Sequence, residues 1–451
     1  MQDTLDMTKG KPYKIILTFA FPIFLSNLFQ QFYNAMDSLI VGNFLDTNSL
    51  AAVSSSGSLI FMFTALFTGT AIGAGVVISR YFGEKNYEKM QRAIHTDIAF
   101  GLSAGVIITI LGTILAPYIL RIMGTDSEVL PYSISYFQTY FLGSLGVIMY
   151  NILTGICNAV GNSKRPLYYL IISSILNIAL DLIFVGGFRW GVWSAALASI
   201  ISQFLSAILC LSFLLRKGTV FQVHLSKIGF DMPLFKEILH FGIPTGIQNS
   251  VIGLANVVVQ SHINAFGNVA MAACGSYFKV EGFAFLPVTC FTMAITTFIS
   301  QNFGAGETKR AKEGAHFGII TSVVLAEVIG ILFQILAPYL IMMFDRNQEV
   351  IEIGVRQIRI ESMFFCLLAF SHCIAAVCRG SGRAVVPMLI MLIIWCGIRV
   401  LYLTIMKPFG FPIDYIFWVY PLTWGLSSIV YIFYYRLSGW EKGFKVKAVK
   451  N

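Results

Sequence analysis

Twelve apolar runs follow one another along this chain, each longer than the roughly 20 residues an α-helix needs to cross a bilayer. They lie at about 13–42, 50–80, 92–117, 132–160, 165–187 and 190–215, then 233–266, 270–302, 312–343, 350–379, 384–406 and 413–437. Hydrocarbon offers no water to pair exposed amides, so each run has to close its own backbone hydrogen bonds as a helix. The expectation is an all-α polytopic membrane protein with twelve transmembrane helices, an even number that returns both termini to one side. Composition agrees: 57% of the 451 residues are hydrophobic and only 12% charged, against about 25% charged in ordinary soluble domains. The first run is longer than a signal-peptide core and shows no small-residue cleavage site, so it is expected to be retained.

Orientation follows from Lys and Arg. Of the 31 in the chain, 23 fall in the connections of one side, beginning with Lys9, Lys11 and Lys14 and ending with Arg436, Lys442, Lys445, Lys447 and Lys450. By the positive-inside rule that side is the cytoplasm. The net charge of +9 is then a consequence of topology, and no nucleic-acid partner is needed. The lipid bilayer is the expected partner of a chain acting as a monomer in the cell membrane. All eight cysteines sit in apolar runs without CxxC pairs or His/Cys metal spacing, so they read as small core residues, and no cofactor is expected.

The chain repeats itself at a separation of 221 residues. LAPYIL at 115–120 recurs as LAPYLI at 336–341, His95 aligns with His316, Cys157 with Cys378, Pro166 with Pro387, and Pro22 with Pro244 at 222. One offset held across several connections indicates two homologous six-helix halves, residues 1–218 and 219–451. Six is even, so both halves enter from the same side and the repeat is parallel. Paired bundles of this kind are transporter architecture.

The halves differ in chemistry. Asp37 lies deep in the first run, where a charge costs about 2.5–3.5 kcal/mol even on lenient insertion scales. Asp181 is a second acid in the same half, and Asn177 precedes it by four residues on one helix face. The equivalent positions of the second half are Val258 or Val259 and Tyr402. Asp37, Asn177, Asp181 and Ser199 together offer oxygens enough for a small hard cation such as Na+, or two carboxylates for a proton. The other reading of the four is a polar cluster that holds helices together.

The segments PIFLSNLFQQFYNAMDSLIVG, NIALDLIFVGG, WGVWSAALASIISQ, SQNFGAGETKRAKEG and CRGSGRAVVP resemble the multidrug and toxic compound extrusion (MATE) family, in particular its bacterial DinF-like branch, over about residues 10–437. The resemblance implies the MATE/MOP fold and cation-coupled antiport, by H+ or Na+, of lipophilic and often cationic drugs. It also implies that Asp37, Asn177, Asp181 and Ser199 bind the cation and that Gln30, Tyr33 and Asn151 line the adjacent drug cavity. Asn34 and Glu281 join that substrate-binding set. A NorM-like branch carries acids in the seventh and tenth spans. Here the seventh has no acid beyond Glu237 near its start and the tenth is apolar between Phe364 and Phe370, so no such carboxy-lobe cation site is carried over.

Three features stay open at this level. Glu281 and Arg399 are either a buried ion pair or part of the substrate cavity. His95 and His316, at matching span ends, suit helix-end hydrogen bonding better than proton relay. Pro22 frees the carbonyl of Thr18 and invites a bend in the first helix. A flippase for lipid-linked oligosaccharide is the alternative function, with only Lys279 and Arg399 to hold a pyrophosphate. A membrane enzyme is excluded by connections that contain no HExxH, Walker or paired-acid motif.

Overall fold

The computed structural model describes residues 4–122 and 125–444, apart from the side chains of residues 47, 50 and 54–66. Lys445, Lys447 and Lys450 of the orientation argument, and the chain end at Asn451, lie outside the described residues. The first half contains α1 (Pro12–Phe44), α2 (Thr47–Gly83), α3 (Tyr87–Ile122), α4 (Leu130–Leu142), α5 (Ser144–Ala159), α6 (Lys164–Asp181) with a π-helical continuation Leu182–Gly187, and α7 (Val192–Leu214). The second contains α8 (Met232–Asn264), α9 (Asn268–Gly304), α10 (Thr308–Met342), α11 (Gln348–Ser362), α12 (Phe365–Gly380), α13 (Val385–Ile390), a π stretch Met391–Ile398, α14 (Arg399–Met406) and α15 (Asp414–Leu437).

These helices supply the twelve spans. α4 and α5 are one span bent by 49°, α11 and α12 one bent by 52°, and α13, its π stretch and α14 run on as another. The bends were not legible in the apolar runs. At the first, a Cβ on Gly143 would stand 2.2 Å from Ile200 Cγ1, so glycine lets the elbow close onto α7. The equivalent position of the second half is Phe364, which carries no such signal.

The repeat holds to the residue. Thr47–Gly83 becomes Asn268–Gly304 and Ser144–Ala159 becomes Phe365–Gly380, both 221 residues on, and the elbows at Gly143 and Phe364 keep the same offset. It fails in one span. The π stretch follows α6 directly after Asp181, but in the second half it comes earlier and runs into Arg399. Such wide turns shift the facing of the residues beyond them and occur frequently at functional sites.

Two compact units form. The first comprises Met1–Asp6 and Phe21–Ile243, the second Met7–Ala20 and Pro244–Asn451. The division at 218/219 read from the sequence counts whole spans, whereas these packing units cut across α1 and α8, just before Pro22 and Pro244. Hydrogen bonds explain the cut. In the second unit Met7 N donates to Gln301 Oε1 at 3.2 Å, Asn302 donates to Met7 O at 3.1 Å, and Arg310 donates to the carbonyls of Met7, Lys9 and Gly10. In the first unit His224 N donates to His95 Nε2 at 2.9 Å and Asp231 N to Thr96 Oγ1 at 3.1 Å. There Glu237 takes Arg80 at 2.6 Å and the Tyr81 hydroxyl at 2.9 Å. Gly242 crosses α2 so closely that a Cβ on Gly73 would lie 2.3 Å from Gly242 N. His95 thus makes helix-end hydrogen bonds, with Nδ1 on Gln91 O at 2.6 Å.

Each unit turns apolar side chains outward. Val106, Ile110, Ile114 and Tyr118 of α3, and Ile320, Val324, Val328, Ile331 and Ile335 of α10, are exposed at helical spacing, the arrangement expected against lipid tails. The first unit closes around Ile40, Val41, Phe137, Phe141, Val185, Val192 and Ala195, and this cluster fixes the end of α1 beside the π stretch and α7.

Candidate functional site

In the first unit α1, α6 and α7 carry the four expected cation-site residues, of which Asp37 and Asp181 come together and Ser199 meets Tyr33. Asp37 is 7% exposed, Asp181 and Asn177 0%, and Ser199 3%. The carboxyl groups of Asp37 and Asp181 lie within direct interaction range. The Tyr33 hydroxyl donates to Ser199 Oγ at 2.9 Å. Asn177 stands one turn before Asp181 on the same buried side of α6.

The polar bookkeeping of this cluster is incomplete. Asp37 Oδ1, both oxygens of Asp181 and both side-chain polar atoms of Asn177 have no hydrogen-bond partner among the described residues. A carboxylate only accepts, so two in contact repel unless a proton or a cation stands between them. Buried acceptors of this kind are normally paired. The unpaired oxygens therefore fit a proton or a hard cation. No group of three or more His, Cys, Asp or Glu gathers among the described residues.

Aromatic hydroxyls that sequence reasoning missed surround the pair. Tyr136 and Tyr140 of α4 lie within electrostatic reach of Tyr33, and Tyr136 also of Asp37 and Asp181. The turn spacing of 136 and 140 was visible, but nothing in it pointed at α1. The remaining expected residues are placed less centrally. Gln30 is half-buried, Asn34 is exposed, and Asn151 turns its amide back to Val147 O at 2.8 Å on its own helix.

Glu281 lies in the second unit, in a separate cluster. Glu361 of α11, fully buried, accepts from the Tyr277 hydroxyl at 2.9 Å and from Gln357 Nε2 at 2.8 Å. Tyr277 is also within hydrogen-bonding range of Glu281. Arg399 donates to Asn256 Oδ1 at 3.1 Å and Thr423 Oγ1 at 3.2 Å, with its guanidinium 4.6 Å from the Tyr420 ring centre. Glu281 and Arg399 influence each other electrostatically, yet no ion pair joins them among the described residues, which corrects the ion-pair reading. Glu281 instead lines a small pocket with Ala284, Phe285, Val288, Ala326, Phe365 and Leu368. The tenth span is thus not without an acid. Glu361 was overlooked because it precedes the apolar stretch from Phe364 to Phe370, in a helix whose other charges are solvent-facing.

A family model described as MatE matches residues 22–183 and 244–404, once in each half. The chain is 27% identical over 451 residues to the probable multidrug resistance protein YoeA of Bacillus subtilis, covering 96% of each. It is 24% identical over 392 residues to the multidrug export protein MepA of Staphylococcus aureus, covering 85% of each. Among solved structures, an outward-facing multidrug resistance MATE family transporter of the MOP superfamily superposes with TM-score 0.90 at 21% identity, over 97% of this chain and 98% of that one. A MOP superfamily transporter from Pyrococcus furiosus gives 0.91 at 21% identity, with the same coverage. At that identity the structures speak for the fold.

Proposed function

The chain belongs to the MatE family, whose members are transporters rather than enzymes, and from that premise we propose that it exports lipophilic, often cationic, drugs by antiport against protons. The observation that carries the coupling is the pair Asp37–Asp181, two acceptor-only groups in contact with unpartnered oxygens. A proton entering the pair removes the repulsion and satisfies an oxygen at once. Asn177 and Ser199 complete an oxygen set that would also serve Na+, and Na+ is the competing ion at the same residues. Gln30, Tyr33, Asn34 and Asn151 of the first unit are assigned to the drug, and Glu281, in its own pocket of the second unit, is assigned separately as a substrate contact.

Antiport needs only that ion and drug favour different states of the transporter, since a ligand shifts an equilibrium by its differential affinity. A coupling of about 1.4 kcal/mol already changes drug affinity tenfold. The lysine and arginine count supports both termini in the cytoplasm; the plasma membrane, a monomeric state and the lack of a cofactor are part of the same proposal. Efflux of ethidium from reconstituted vesicles in sodium-free medium, under an imposed pH gradient, tests the proposal. Transport is expected to proceed there. Transport that stops and returns on adding sodium at constant pH overturns proton coupling.

A further inference from the structure

The interface of α6 and α7 carries more polar groups than the Asp37–Asp181 site uses. At its inner end Ser206 donates to Ser173 Oγ at 2.5 Å, which fixes these two hydroxyls face to face. At its outer end Tyr33 meets Ser199, and Asp37 meets Asp181. Between the two ends lie Ser174 and Asn177 of α6 and Ser202 and Gln203 of α7. Each has at least one buried polar atom without a partner among the described residues. Ser174, Asn177 and Ser202 are 7% exposed or less. Ser173 and Asp181 are eight residues apart on α6, about 12 Å at 1.5 Å per residue. One turn further inward, Thr154 Oγ1 and Cys210 Sγ are 4.0 Å apart.

Serines in apolar helices ordinarily return their proton to a carbonyl one turn back, as Ser173 does to Leu170 O. Ser174 and Ser202 do not. Hydroxyls left unpaired inside a buried seam are costly unless water reaches them, and they recur here on two helices that also carry Asn177 and Asp181.

We propose that this seam is the proton's route between the Asp37–Asp181 pair and the end of the unit that carries Lys164, Arg165, Arg216 and Lys217. Hydroxyls, the two amides and water held between them form the file. The proposal rests on the proton-coupled reading above. The Ser173–Ser206 contact favours a proton over sodium, because two hydroxyl oxygens in direct contact leave no room for an ion between them. A proton crosses the hydrogen bond itself, Ser206 passing its proton to Ser173 as it takes up another, and Ser173 turning its own proton from Leu170 O to the next acceptor.

Valine and threonine have the same shape, so they separate the hydroxyl from the packing. Purified protein is reconstituted into vesicles enclosing a pH-sensitive dye, and drug-driven proton movement is timed. The double variant Ser174→Val, Ser202→Val is expected to slow it by at least about tenfold while drug binding in detergent is unchanged, and Ser174→Thr, Ser202→Thr is expected to restore it. Ser202→Ala, which adds no volume, is expected to slow it as well if the double variant fails to fold. Wild-type rates in the valine and alanine variants, beside a dead Asp37→Asn, overturn the route and leave the coupling site standing. A threonine variant as slow as the valine one overturns it too, by showing a packing effect. Wild-type proton movement in Asp37→Asn overturns the coupling reading and the route with it.

Discussion

Replacing Asp37 by asparagine is expected to make the protein more stable while ending its transport. The two carboxyl groups meet without a donor between them, and Asp37 Oδ1 and both Asp181 oxygens are unpaired. Asparagine has the same shape and brings two N–H donors. It turns an acceptor facing an acceptor into an N–H···O bond to Asp181. Leaving a buried acceptor unpaired costs about 1–3 kcal/mol, and relieving one of them sets the expected gain at about that size. Transport is lost because the amide no longer binds or releases the coupling proton, a trade of function against stability common at active sites. The assay is the melting midpoint of purified protein in detergent at one scan rate, read beside ethidium efflux under an imposed gradient. Asp181→Asn carries the same signs. Asp126→Asn is the control, since Asp126 accepts from Glu128 N at 2.8 Å in an exposed turn and asparagine keeps that bond. A lower midpoint in Asp37→Asn with transport lost would refute the reasoning, because the carboxylate would then be a structural tie. Retained efflux would remove it from the coupling site.

Glu361→Leu leaves the Tyr277 hydroxyl and the Gln357 amide without their buried acceptor and removes a negative charge within electrostatic reach of Arg399, so folded yield by size exclusion is expected to fall in line with about 1–3 kcal/mol. Adding Arg399→Leu is expected to recover part of it, and no recovery would mean that Asn256 and Thr423 suffice for the arginine. A reporter fused after Asn451 is expected in the cytoplasm and a tag at Thr125 outside; both on one face would contradict the span count. Asp46 caps α2 through Ser49 N at 2.8 Å, and the hydrogen bonds from Ser49 hold its carboxyl below the ordinary carboxylate range. Asp46→Ala is expected to cost about 0.5–1 kcal/mol at neutral pH. Because the folded value is the lowered one, that contribution is present above the ordinary carboxylate range and disappears as pH falls through the lowered value. A wild-type advantage that persists in strong acid would contradict the charge part of the cap.

Much of the frame was legible because it rests on length and repetition. Run lengths alone separate twelve spans, and the 221-residue offset survives in the bounds of α2 and α9 and of α5 and α12. What escaped depended on packing. Gly143 and Phe364 make matching elbows, but only one of them is a residue that announces a bend. The π stretches leave no periodic trace, because LIFVGG and MLIIWCGI are continuous apolar runs. Asp37 and Asp181 could be paired from sequence because carboxylates are rare in such runs. Glu361 sits among Glu349, Glu352, Arg356 and Arg359 in α11, where a buried acid cannot be told from its exposed neighbours without the fold. The partners of Arg399 were likewise hidden: Asn256 and Thr423 are ordinary polar residues until the helices meet.

The two halves share a frame to the residue and part company in one span, and their buried charges part there too. In the second unit, Glu361 has two donors, Tyr277 reaches toward Glu281, and Arg399 supplies a positive charge within electrostatic reach of both. That cluster carries its own counter-charge and most of its own donors. In the first unit, Asp37 and Asp181 have neither, and the π turns begin immediately after Asp181. A buried pair of carboxylates persists only if something supplies the missing positive charge. No lysine or arginine pairs with it among the described residues, so on the proposed function the first unit takes that charge from solution. On the proposed function, this asymmetry between otherwise matched halves is the reason for assigning ion coupling to the first unit, while the second contributes Glu281 to the drug.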